Sequence, residues 1–132
     1  LTDLIIVDTM GELASLYSVA SYVFCGGSLV TRGGHNIIEA AIWGVPVLYG
    51  PNMKDFADAK DLLEKNGVGF MINNSTELVE RIREFAAEPL LLKKVSEAAG
   101  KTARSQQGTA SRQLAPVFDA IRSLCSNNTS DH

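Results

Sequence analysis

Short runs of β-forming residues alternate along this chain with stretches of helical periodicity, and this alternation restricts it to an α/β architecture. Residues 4–7, 22–26 and 45–49 are near-continuous apolar runs, the pattern of strands covered on both faces. A shorter run covers residues 69–72. Between them, helices are predicted over residues 10–17, 35–43 and 55–65, with Gly44 and Asn66-Gly67 as stops. Thr9 is the expected N-cap of the first, with Glu12 as its capping-box partner. Ser75 is the expected cap of a further helix. Pro89 begins another, over residues 90–104, followed by one over 109–124 that Pro116 kinks or restarts. Strand–helix alternation implies right-handed crossovers and a parallel sheet.

A parallel sheet is stable only with both faces covered, and the strand at residues 4–7 needs a neighbour on its outer edge. Residue 1 is Leu, and strand-like sequence begins almost at once. The expectation is a piece of a longer protein, whose exposed first strand pairs with a second copy to give a homodimer. Residues 126–132 are polar and expected to be a disordered tail.

With 132 residues there is enough chain for one hydrophobic core. A net charge of −3 argues against a nucleic-acid surface. No apolar run approaches a membrane span. Cys25 and Cys125 fit no zinc or redox spacing, and a reducing cytoplasmic location is the simplest reading. Two histidines, one of them in the tail, assemble neither a metal site nor a serine–histidine–acid triad.

The chemistry concentrates in Gly26-Gly27-Ser28-Leu29-Val30-Thr31-Arg32-Gly33-Gly34-His35-Asn36-Ile37-Ile38-Glu39-Ala40-Ala41. This is a strand end, a glycine-rich turn and a helix start, the edge at which open α/β sheets take ligands. Gly33 and Gly34 let the backbone approach an anion, and the helix start offers N–H groups. His35, Asn36 and Glu39 share a helix face at i,i+3 and i,i+4 spacing. A carboxylate there is a good acceptor for ribose hydroxyls. A tight turn with Asn36 and Glu39 as caps accounts for the same residues without a ligand. Thr9-Met10-Gly11-Glu12-Leu13 is a second loop on that edge, and Gly50-Pro51-Asn52 a third. Arg32 and Lys54 are cations in those loops, fit for an anion or for solvent alike.

These segments resemble, in order, the carboxyl-terminal domain of the 3-deoxy-D-manno-octulosonic acid (Kdo) transferases, GT-B glycosyltransferases. The resemblance rests on Asp8-Thr9-Met10-Gly11-Glu12-Leu13, Gly26-Gly27-Ser28-Leu29-Val30, Gly33-Gly34-His35-Asn36 with Glu39-Ala40-Ala41, and Pro46-Val47-Leu48 with Gly50-Pro51. It covers residues 4–120. It implies an α/β fold with a Rossmann-like parallel sheet and flanking helices, the second half of a GT-B donor domain, with residues 1–125 a partial carboxyl-terminal nucleotide-sugar-binding domain. It implies a donor, CMP-Kdo, contacted by Met10, Gly11, Glu12, Gly34, His35, Asn36 and Glu39. The acceptor, a lipid A precursor, and the catalytic base would belong to an amino-terminal domain absent from this chain. The reaction would need no metal or cofactor, and the parent enzyme would work at the cytoplasmic face of the inner membrane. Ile37 departs from the family, where proline often follows the asparagine, and residues 52–56 follow its loop only loosely. Other readings are a GT-B transferase using a UDP- or GDP-sugar, and a non-catalytic remnant that only self-associates.

Overall fold

A computed structural model describes residues 4–9 and 11–127, with side chains up to residue 108. Its strands are β1 (Val23–Cys25), β2 (Val47–Tyr49) and β3 (Gly69–Met71). They form a parallel sheet in the order β1-β2-β3, with Val23 opposite Val47 and Val47 opposite Gly69. Helices α1 (Leu13–Tyr17), α2 (Ile37–Ile42), α3 (Ala57–Lys65), α4 (Ser75–Ala87) and α5 (Pro89–Asn127) surround it. This is the Rossmann-like α/β arrangement that strand–helix alternation predicts.

Strand β2 is buried throughout, and its side chains alternate between two cores. Val47 and Tyr49 join Tyr17, Ile37, Ala40, Ala41, Leu63, Ala99 and Ala103 on one face. Leu48 joins Ile72 and Phe85 on the other, with Phe24 and Phe70 packed around them. Phe70 meets Phe85 edge-on at 5.5 Å, and the Arg81 guanidinium lies 4.8 Å over the Phe70 ring. Each fully buried side chain of this size contributes roughly 1.5–3 kcal/mol. The small residues Ala99 and Ala103 let α5 lie close against α2.

Four expectations change. Residues 4–7 form no strand: Leu4, Ile5 and Ile6 are 75%, 81% and 84% exposed. An apolar run becomes a strand only when a neighbour completes its hydrogen-bond ladder, and no described strand pairs with it. The first helix begins at Leu13, not residue 10, because Gly11 takes φ +90°, outside helical geometry. Glu12 is then the N-cap residue, but its carboxylate accepts no backbone N–H of the first turn; it accepts instead from the Thr9 hydroxyl at 2.5 Å. Asn74, not Ser75, caps α4, its Oδ1 accepting from the Glu77 N–H at 3.0 Å. The long helix α5 runs unbroken through residues 105–108 and past Pro116. A proline removes one helical hydrogen bond, and helix formers such as Leu114, Ala115 and Ala120 flank this one.

Ser126 and Asn127 belong to α5, and residues 128–132 lie outside the described residues. Among the described residues no helix is long and apolar enough to cross a membrane.

Candidate functional site

The loops after β1 and β2 lie side by side at the carboxyl edge of the sheet, and Ser28 ties them together. The chain leaves β1 into a 3-10 turn, Gly26–Leu29, with Ser28 fully buried. The Ser28 hydroxyl donates to the Cys25 carbonyl at 2.5 Å and accepts from the Gly50 N–H at 2.6 Å. The Ser28 carbonyl accepts from the Asn52 backbone N–H at 2.9 Å and from its side-chain amide at 3.1 Å. Gly50 is required where it stands: a Cβ there would sit 2.5 Å from the Ser28 carbonyl oxygen. Gly34 is constrained likewise, since a Cβ would collide with the buried Met53 thioether.

The glycine-rich turn then delivers the chain into α2. The His35 N–H donates to Cys25 Sγ at 3.3 Å, which pins the turn to the strand end. Asn36 is the N-cap of α2, its Oδ1 accepting from the Ile38 N–H at 3.1 Å. Its amide reaches the Glu39 carboxylate at 3.5 Å. The capping role considered for Asn36 is thus present in the structure, and it leaves the Glu39 carboxylate exposed.

Above β1 a cleft of about 280 Å³ opens between α1 and α2. Leu13, Tyr17, Val23, Phe24 and Ile37 give it an apolar wall, and Gly26, Gly27, His35 and Asn36 a polar one. Burial, then the nearby Glu39 carboxylate and Cys25, raise the Tyr17 phenol above its ordinary pKa. Tyr17 therefore stays neutral at physiological pH, and the Glu39 charge lies close to the cleft.

The structure brings some of the expected site residues together. His35 and Asn36 line the cleft, while Gly34 sits one residue before them, packed on Met53. Glu39 is a helical turn further on and faces solvent. Gly11 and Glu12 are exposed and line no part of the cleft; Leu13, next in sequence, does. Met10 lies outside the described residues. Cys25 and Tyr17 were not expected at the site; Ser28 and Asn52 lie in loops that the sequence places on this edge, but the sequence assigns neither a role. A serine directly after two glycines at a strand end was the one signal that could have drawn attention to Ser28.

No protein-family model matches the chain. The 3-deoxy-D-manno-octulosonic acid transferase of Aquifex aeolicus (strain VF5) is 46% identical over 82 residues, covering 62% of this chain and 23% of the relative. The enzyme of the same name from Bordetella pertussis is 31% identical over 117 residues, 89% of this chain and 27% of the relative. The chain thus spans about a quarter of the length of these curated relatives. Among solved structures, the C-terminal CMP-Kdo binding domain of WaaA from Acinetobacter baumannii superposes with a TM-score of 0.67 at 30% identity. That match covers 73% of this chain and 50% of the other. By sequence and by fold, this chain belongs to the Kdo transferases and corresponds to part of their carboxyl-terminal domain.

Proposed function

We propose that the chain is the donor-binding part of a glycosyltransferase that moves Kdo from CMP-Kdo to a lipid A precursor. The observation that carries this is the likeness to a CMP-Kdo binding domain, at 30% identity over 73% of the chain. The cleft is suited to the task. Its apolar wall of Leu13, Tyr17 and Val23 fits a pyrimidine ring, and His35 and Asn36 offer polar groups for the phosphate. Glu39 accepts hydrogen bonds from the ribose hydroxyls, a role a carboxylate fills well. Gly34 allows the turn to pass close to the nucleotide. Met10, Gly11 and Glu12 contact the nucleotide, partly through backbone groups.

Under this reading the acceptor and the catalytic base belong to another part of the enzyme. The intact enzyme works at the cytoplasmic face of the inner membrane, and this chain alone has no turnover. Calorimetry with CMP, UMP and GDP tests the donor class. CMP is expected to bind tightest, and tighter binding of UMP or GDP would transfer the chain to another donor class. Glu39→Ala is expected to weaken CMP about tenfold or more, the loss of a charge-assisted hydrogen-bonding group. Normal CMP affinity in that variant would sink the assignment of Glu39.

A further inference from the structure

The loops joined by Ser28 enclose a second cavity of about 260 Å³, lined by Thr31, Arg32, Gly33, Asn52, Lys54 and Asp55. Two cations face it against one carboxylate. Among the described residues, the ion pairs are Lys60 with Asp61 and Glu64, and Arg81 with Glu84. Arg32, Lys54 and Asp55 are in none of them. The cavity adjoins the first cleft: Gly33 lines one, His35 the other, and only Gly34 separates them in the chain. One wall is held in place from below, where Asn52 is bonded to the Ser28 carbonyl by both backbone and side chain.

A cationic cavity beside the proposed nucleotide cleft suits whatever anionic group the donor carries beyond its phosphate. The relatives are named for an octulosonic acid, a sugar that bears a carboxylate at neutral pH. We infer that Arg32 and Lys54 hold the carboxylate of the transferred sugar, while Asn52 and Asp55 take its hydroxyls. Arginine's planar fork matches a carboxylate in a way that a solvated surface cation does not require. This inference rests on the donor-binding reading above and adds a basis for choosing acidic over neutral sugars.

Calorimetry on the 132-residue chain tests it with three probes: CMP, CMP-Kdo and free Kdo. Arg32 and Lys54 are exposed, so the R32Q/K54Q double variant keeps the fold. It is expected to bind CMP as the parent chain does and to bind CMP-Kdo about tenfold or more weakly. Equal loss for CMP and CMP-Kdo would mean that the cavity grips the phosphate, and unchanged binding of both would mean that it grips neither; each overturns the inference. Uptake of free Kdo that the variant loses, in a chain indifferent to CMP, would uphold this cavity and overturn the nucleotide cleft. A parent chain that binds neither CMP-Kdo nor Kdo overturns the inference.

Discussion

At the scale of single residues, Ser28 is what ties the two loops of the site together. Its hydroxyl and carbonyl join segments that are 22 and 24 positions apart in sequence. Ser28→Ala leaves the buried Gly50 N–H without its acceptor, so a loss of about 1–3 kcal/mol in urea unfolding is expected. A loss indistinguishable from zero would contradict the clip. Tyr49 carries a second prediction. It is fully buried and donates to Glu64 at 3.0 Å. Burial first, then Glu64, push its phenol well above the ordinary value of 10.0. The folded chain therefore holds this proton more tightly than the unfolded one, and stability falls as pH rises past about 10. Tyr49→Phe should reduce that alkaline slope; an unchanged slope would contradict it. Tyr17, raised in the same direction, adds to that slope. Neither clip nor shift was legible in the sequence, since a serine after two glycines reads as a turn, and its partners are set by topology. His35 and Asn36 were legible because their spacing on a helix start is local.

At the scale of elements, the sequence pattern located each described strand of the sheet, though each is shorter than its apolar run, because runs of β-formers mark buried strands directly. Helix starts were less legible. Asn74 and Ser75 are both good caps, and only backbone geometry decides between them. Gly11 moved α1 three residues along by a torsion angle that composition does not reveal. Residues 4–7 show the limit of pattern alone, since strand propensity without a partner leaves the run exposed. The outer edge of β1 is unpaired among the described strands. Exposed apolar side chains and an open strand edge each favour association. Light scattering is expected to show concentration-dependent self-association, reduced in I5K/I6K. A monodisperse monomer across concentrations would contradict this.

At the scale of the whole molecule, a three-stranded sheet and its helices bring two loops, two cavities and one helix start to the same edge. The sheet positions them, and long-range contacts such as α2 against α5 hold α2 where its first residues can line the cleft. The architecture therefore accounts for a candidate binding surface at that edge. The most direct test is a CMP titration followed by backbone amide NMR of the chain. Shifts are expected to cluster at Leu13, Tyr17, residues 25–27 and residues 35–40, with little change in α4 and β3. Shifts centred elsewhere, or no saturable shifts at all, would contradict the account of this chain as a CMP-sugar-binding domain.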